Sequence, residues 1–171
     1  IFSSVSGMHI MNGYLSSNDY TQQRLAALQI IDNSDLYAIS FYPYLSDYLG
    51  NPYPENGLDE LFSISNKPLA IAGTGYPAQT FTAKIDSVEV TIESDPVKQN
   101  KFVSDLLGAC SRHNASFVFI FALRDYDQLW EETGAKNDIT ILWRDTGLYD
   151  EAGNKRMAHT TWMQYLVRPV N

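Results

Sequence analysis

The segment from Lys67 to Pro77, Lys-Pro-Leu-Ala-Ile-Ala-Gly-Thr-Gly-Tyr-Pro, limits the possible folds of this chain more than any other. A short apolar run begins after Pro68 and stops at Gly-Thr-Gly-Tyr-Pro, residues 73–77. Apolar runs of this length, placed between a proline and a glycine-rich turn, are typical of strands buried on both faces. The segment therefore predicts a buried strand that ends in a sharp bend.

Three other segments are apolar or rich in strand-forming residues and predict further strands: Phe2–Met11, Asp35–Phe41 and Phe117–Leu123. Residues with helical spacing follow each of the four strands. Apolar strands that alternate with helices predict an α/β fold with a parallel sheet covered on both sides. After the third strand, residues 80–93 alternate between apolar and polar, which predicts a β-hairpin insertion.

The composition excludes several classes of function. The chain has 20 acidic and 12 basic residues, a net charge of −8, and no basic cluster, so we expect neither nucleic acid nor an anionic membrane as a partner. No apolar run reaches the length of about 20 residues that a membrane span needs. The single cysteine, Cys110, rules out an internal disulfide. The 11 tyrosines, 8 phenylalanines and 3 tryptophans suit sugar stacking and ordinary cores equally.

The segment Pro68–Pro77 resembles the seventh strand of clan A retaining glycoside hydrolases, whose barrels carry Pro-Ile-X-Ile-Thr-Glu-Thr-Gly-Tyr-Pro there. Residues 147–154, Gly-Leu-Tyr-Asp-Glu-Ala-Gly-Asn, resemble the closing loop of the same barrels. The resemblance implies that the four strands are the fifth to the eighth. A complete (β/α)8 barrel takes about 250 residues. The expected fold is therefore the C-terminal half of a TIM barrel, with four βα units in one partial domain, residues 1–171.

The resemblance fails at one position. Gly73 occupies the place at which the family carries its nucleophilic glutamate, and the family's acid/base residue follows the fourth strand, in a half of the barrel that this sequence does not contain. One interpretation is a substituted or degenerate active site. The other is that Gly73 merely lets a neighbouring group approach closely.

The resemblance also implies binding residues on the sixth strand, because barrel active sites lie at the carboxyl ends of strands. Tyr42 corresponds to the tyrosine with which the family hydrogen-bonds the nucleophile. Tyr44 is a second candidate for a ligand contact, although a rim or packing role is an alternative. His9, near the end of the first strand, either reaches the pocket or is a core histidine.

The end of the eighth strand carries Arg124, Asp125 and Tyr126, where the family places a cluster that holds the sugar next to the cleaved bond. Arg124 and Asp125 form a structural ion pair in an alternative interpretation. Trp143, in the following loop, is a candidate stacking surface for a sugar ring. The sequence shows no metal-ligand spacing, no phosphate-binding loop and no Ser-His-Asp pattern, so we expect neither a metal nor a cofactor.

Two hypotheses on function follow from the resemblance. In the first, the chain is the C-terminal half of a glycoside hydrolase-like protein that acts on polysaccharide outside the cytoplasm, extracellular or periplasmic, and is inactive alone. In the second, it is a non-catalytic relative that binds carbohydrate or serves as a scaffold. A coincidental match in an unrelated α/β domain is a third. The expected partners are carbohydrate and either the missing N-terminal half-barrel or a second copy of the chain.

Overall fold

The computed structural model describes residues 4–6, 17–45, 55–85, 88–133 and 140–169. Strands and helices alternate over much of this range, apart from two consecutive strands after β3. A short 3-10 helix, Pro43–Leu45, follows β2. The elements in chain order are β1 (Ser4–Ser6), α1 (Ser17–Asp32), β2 (Tyr37–Phe41), α2 (Gly57–Phe62), β3 (Leu69–Thr74), β4 (Phe81–Ile85), β5 (Val88–Ile92), α3 (Pro96–Arg112), β6 (Val118–Ile120), α4 (Asp127–Glu132), α5 (Ile141–Arg144) and α6 (Met157–Leu166).

Four of the strands form one sheet in the order β1-β2-β3-β6. The pairs β1–β2 and β2–β3 are parallel. The Ser116 amide donates to the Leu69 carbonyl at 2.8 Å, and the Ile71 amide donates to the Phe117 carbonyl at 3.0 Å. From the first bond to the second, the residue number rises on both strands, so β3 and β6 run parallel. The predicted α/β fold with a parallel sheet is confirmed.

Burial differs sharply between the central strands and β6. In β2 and β3, residues such as Tyr37, Ile39 and Ile71 are completely buried. This agrees with the apolar runs from which the strands were predicted, since a parallel strand is normally covered on both faces. In β6, by contrast, Val118 and Ile120 are only partly buried and Phe119 is 61% exposed.

The described chain falls into two compact units. The first comprises residues 1–74 and 108–119, and the second comprises residues 75–107 and 120–171. In the second unit, β4 and β5 pair in an antiparallel manner within the segment for which the alternation predicts a hairpin. The single partial-barrel domain remains a prediction. Among the described residues, no helix has the length and the apolar composition needed to cross a membrane.

Lys67, the first residue of the segment Lys67–Pro77, binds the C-terminal end of α1. Its ammonium donates to the carbonyls of Ile31 and Asp32, each at 2.7 Å, and to the carbonyl of Ser34 at 2.5 Å. The last carbonyls of a helix have no partner within the helix, and a cation there also interacts favourably with the helix dipole. One side chain therefore connects the end of α1 to the start of β3.

We expect Lys67→Met to lower the free energy of unfolding by about 1–3 kcal/mol, because hydrogen bonds from a charged donor to the end of α1 are lost. Urea denaturation followed by circular dichroism measures the change. The matched control is Lys84→Met, since Lys84 is an exposed residue of β4. Equal stability of the two variants would contradict the role given to Lys67.

Candidate functional site

A β-bulge brings Gly73 opposite Ser40. Along the β2–β3 ladder Ile39 pairs with Ile71, but the next pair is Ser40 with Gly73, so that Ala72 is skipped. An extra residue in one strand changes the direction of the side chains that follow, and bulges of this kind are frequent beside active sites. The bulge lies near the carboxyl ends of both strands, at the edge of the sheet where parallel α/β proteins bind ligands.

Two hydroxyl groups border the position of a side chain at residue 73. A Cβ atom placed on Gly73 lies 3.2 Å from Ser40 Oγ and 3.5 Å from the Tyr42 hydroxyl, and the next atom, Ser40 Cβ, is 4.0 Å away. All three neighbours are side-chain atoms. The Ser40 side chain can rotate to make room, because a serine hydroxyl has three staggered rotamers. A side chain at residue 73 would therefore begin beside the Tyr42 hydroxyl.

Two other glycines are required by the backbone, in contrast to Gly73. A Cβ on Gly75 would lie 2.2 Å from the Phe121 carbonyl oxygen. A Cβ on Gly147 would lie 2.5 Å from both the Asp125 amide nitrogen and the Tyr149 carbonyl oxygen. Backbone atoms at these distances exclude any side chain. Gly73 meets no such barrier, and its φ is not in the positive range that favours glycine.

The two tyrosines after β2 occupy different environments. Tyr42 is half-buried, and burial raises the pKa of its hydroxyl, which therefore stays protonated and able to donate a hydrogen bond. Tyr44 is 1% exposed, and its ring lies edge-on to that of Tyr42 with the centroids 6.1 Å apart. This burial is what the packing alternative for Tyr44 expects; a ligand contact by Tyr44 remains a prediction.

Asp125 belongs to a buried ion pair. Its carboxylate accepts hydrogen bonds from Arg156 Nη2 at 2.5 Å, from Arg156 Nη1 at 2.9 Å and from the Gly147 amide at 2.8 Å. Burial raises the pKa of Asp125 to about 6, against the opposing effect of Arg156. The alternative pairing of Asp125 with Arg124 does not occur, since the Arg124 guanidinium donates instead to the Glu151 carbonyl.

A second arginine, Arg144, forms ion pairs with two more carboxylates of the same unit. Arg144 forms ion pairs with Asp145 at 2.8 Å and with Asp127 at 3.1 Å. Asp125, Asp127 and Asp145 each have an oxygen within 4.8 Å of the others, a spacing that a metal ion could also use. The two guanidinium groups already neutralise most of this charge. We call the five side chains, Asp125, Asp127, Arg144, Asp145 and Arg156, the ion-pair network, and assign it no metal.

Gln99, a residue of α3 that is 1% exposed, connects the turn after β3 to the loop that contains Gly147. Its side-chain amide donates to the Tyr76 carbonyl at 3.1 Å and to the Gly147 carbonyl at 3.0 Å. Arg156 Nη1 also donates to the Gly147 carbonyl, at 3.0 Å. Buried backbone carbonyls need such partners. The polar groups of this unit therefore hold the Tyr76 turn and the Gly147 loop together.

The remaining predicted site residues have structural partners or lie outside the described residues. The Tyr126 hydroxyl donates to the Thr140 carbonyl at 2.7 Å, and burial raises the pKa of Tyr126 to about 12. Trp143 lies on α5 and is partly buried. His9 lies outside the described residues. Sugar contacts by Arg124, Asp125, Tyr126 and Trp143 remain predictions.

Sequence reasoning missed two residues of importance. Ser40 was not singled out, although it belongs to β2 and lies two residues before Tyr42, which directly follows that strand. Arg156 was also missed. It follows Asp125 by 31 residues, and no local pattern connects an arginine at the start of α6 with the end of β6. The register of the sheet places Ser40 opposite Gly73. The folded loops bring Arg156 into contact with Asp125.

No protein-family model and no curated protein matches this chain. Solved structures of glycoside hydrolases are similar to it. The Ignisphaera aggregans GH53 catalytic domain has a TM-score of 0.58 at 18% identity, over 93% of this chain and 44% of that one. Xylanase 10B from Thermotoga maritima has a TM-score of 0.51 at 11% identity, over 95% and 45%. The Faecalibacterium prausnitzii β-glucuronidase has a TM-score of 0.53 at 14% identity, over 80% and 22%.

These likenesses establish the fold. The chain has the α/β architecture of TIM-barrel glycoside hydrolases and spans less than half the length of each of the three structures. At identities of 11–18% they do not establish the reaction, because one fold supports many activities.

We expect Gly75→Ala to destabilise the chain by about 1–3 kcal/mol or more, because its Cβ would overlap a backbone carbonyl that cannot rotate away. Gly73→Ala should stay within about 1 kcal/mol of the parent. Thermal unfolding of both variants measures the difference. If the two substitutions cost the same, Gly73 is as structural as Gly75 and the distinction between them is wrong.

We expect Arg156→Leu to destabilise the chain by about 3–5 kcal/mol, because it leaves the Asp125 carboxylate buried without its partner. The control is Arg112→Leu, since Arg112 pairs with Asp59 at the surface and should contribute about 1 kcal/mol or less. Adding Asp125→Asn to Arg156→Leu should recover part of the loss, because the unpaired charge is removed. Urea denaturation measures all three; equal losses in the two single variants would contradict this assignment.

Proposed function

We propose that this chain is the C-terminal half-barrel of a glycoside hydrolase-like protein that acts on polysaccharide, with the nucleophile position occupied by Gly73. The likeness to TIM-barrel glycoside hydrolases supports the fold part of this proposal. The pattern Pro68–Pro77 supports the assignment of residue 73. We expect no retaining hydrolysis from the polypeptide alone, because that reaction needs a nucleophilic and an acid/base carboxyl group about 5–5.5 Å apart, and glycine at residue 73 supplies no nucleophile.

The observation that carries the proposal is the surroundings of Gly73. A structural glycine is enforced by positive φ or by close backbone, and neither applies at this position. The hydroxyl that lies 3.5 Å from a Cβ at residue 73 belongs to Tyr42, the residue that the glycosidase resemblance assigns to hydrogen-bonding the nucleophile. The position therefore accepts a side chain once the Ser40 hydroxyl moves by a few tenths of an ångström.

A second candidate function, carbohydrate binding without catalysis, is favoured by the chemistry of the groups around Gly73. Ser40 and Tyr42 present neutral hydroxyls, which can both donate and accept hydrogen bonds to sugar hydroxyls. Among the described residues, the buried carboxylate of Asp125 is held by Arg156 and is not available as a general acid. The surroundings of Gly73 suit recognition of a sugar better than cleavage.

The proposal extends to partners and compartment. Carbohydrate is the ligand, and the barrel is completed either by an N-terminal half or by a second copy of this chain. The protein acts outside the cytoplasm, in the extracellular space or the periplasm, where polysaccharide substrates occur.

Replacing Gly73 tests the proposal directly. In a complete barrel, Gly73→Glu places a carboxylate beside Tyr42, which orients it for attack on the anomeric carbon. Incubation with a panel of activated 2-deoxy-2-fluoro glycosides should then yield a covalent glycosyl adduct at residue 73, located by intact-mass and peptide mass spectrometry. Activated leaving groups are used because they depart without help from a general acid. With activated aryl glycosides, hydrolysis should exceed that of the parent by several orders of magnitude.

The matched control is Gly73→Gln, which has the same size and no nucleophilic oxygen anion. It should remain unlabelled with every substrate. Formate or azide should partly restore turnover in the parent, by filling the space that the missing side chain leaves. Labelling that is absent from the Gly73→Glu variant, or equal in both variants, would show that Gly73 does not occupy a nucleophile position.

A further inference from the structure

The turn between α3 and β6 carries a sequence motif that neither the sheet nor the candidate site explains. Residues 114–116, Asn-Ala-Ser, form an Asn-X-Ser triplet in which X is not proline, the acceptor pattern for N-linked glycosylation. No other Asn-X-Ser or Asn-X-Thr triplet occurs in the sequence. Such a short pattern also arises by chance, so its use depends on where the fold places it.

The backbone of Asn114 forms the C-terminal cap of α3. The Ala115 amide donates to the Cys110 carbonyl at 2.9 Å. The Asn114 amide donates to the Ser111 carbonyl at 3.4 Å, and together these two bonds form a Schellman motif. Asn114 has a φ of 51°, in the left-handed region that asparagine adopts more readily than other residues with a side chain. The residue that ends α3 therefore also begins the triplet.

Both residues on which the transfer of a glycan depends, Asn114 and Ser116, are exposed. They lie at the amino-terminal edge of the sheet, because the Ser116 amide donates to the carbonyl of Leu69, the first residue of β3. Gly73 lies near the other end of β3, about 13 Å further along the strand at about 3.3 Å per residue. A bulky group on Asn114 therefore starts in solvent, at the opposite edge of the sheet from the candidate site.

We propose that Asn114 is the acceptor of an N-linked oligosaccharide. Its side-chain amide nitrogen forms a bond to the anomeric carbon of an oligosaccharide that is carried on a polyprenyl diphosphate. The bond from that carbon to the diphosphate breaks, the diphosphate leaves with the electron pair, and one amide proton passes to a base of the transferase. This modification rests on the extracytoplasmic compartment of the proposed function and not on its assignment of Gly73.

Secretion of the full 171-residue chain from yeast, behind a cleavable signal, tests the proposal. We expect one added oligosaccharide, which intact-mass spectrometry detects. Removal by peptide-N-glycosidase converts the modified asparagine to aspartate, so peptide mass spectrometry should locate the change at Asn114. Asn114→Gly should remain folded and unmodified, because glycine keeps the left-handed turn and lacks the amide. Ser116→Ala should also be unmodified, because the triplet loses its hydroxyl.

The matched control is Ser111→Ala, at an exposed serine of α3 outside the triplet, which should be modified to the same extent as the parent. Circular dichroism checks that each variant folds, and cell-free translation into microsomes gives the same mass comparison for any variant that is not secreted. A translocated chain without added mass, or added mass that persists in both Asn114→Gly and Ser116→Ala, would overturn the proposal. Either result would leave the Gly73 labelling experiment unaffected, because the host supplies secretion here and residue 73 takes no part in the transfer.

Discussion

The parallel pairing of β2 with β3 is the constraint on which both the fold and the candidate site depend. The ladder buries Ile39 and Ile71 completely, and it then shifts by one residue at Ala72. Without this shift Gly73 would not pair with Ser40, because a one-residue change of register turns every later side chain to the opposite face. A feature of the backbone hydrogen bonding thus decides which hydroxyls border residue 73.

The ion-pair network shows why a cluster of acidic residues is weak support for a catalytic site. Transfer of Asp125 from water into the protein interior costs several kcal/mol, and two hydrogen bonds from Arg156 and one from Gly147 offset that cost. A carboxylate held in this way stabilises a loop, and its protonation would weaken the ion pair with Arg156. Its neighbour Arg124, exposed and bound to a backbone carbonyl, is the more accessible polar group.

Three glycines of the two family-like segments, Gly73, Gly75 and Gly147, have different physical roles despite their similar appearance in the sequence. Gly75 and Gly147 are fixed by backbone atoms 2.2–2.5 Å from a would-be Cβ, whereas Gly73 faces only rotatable side-chain atoms. Gly73, within β3, and Gly75, in the turn that follows it, therefore differ in their surroundings although they stand two positions apart. This difference is the reason why the proposed function depends on residue 73 rather than on fold likeness.

Much of the fold followed from the sequence alone, because burial of a parallel strand requires a continuous apolar run, and such runs are visible at residues 35–41, 68–74 and 117–123. The candidate positions Tyr42 and Gly73 followed as well, from strand ends and a family-like pattern. Only the tertiary structure decided that Arg156 pairs with Asp125, that Ser40 lies beside Gly73, that Tyr44 is buried and that β6 is half exposed. The physical reason is distance along the chain: apolar periodicity reports the surroundings of one segment, whereas ion pairs, register and close backbone contacts join residues tens of positions apart.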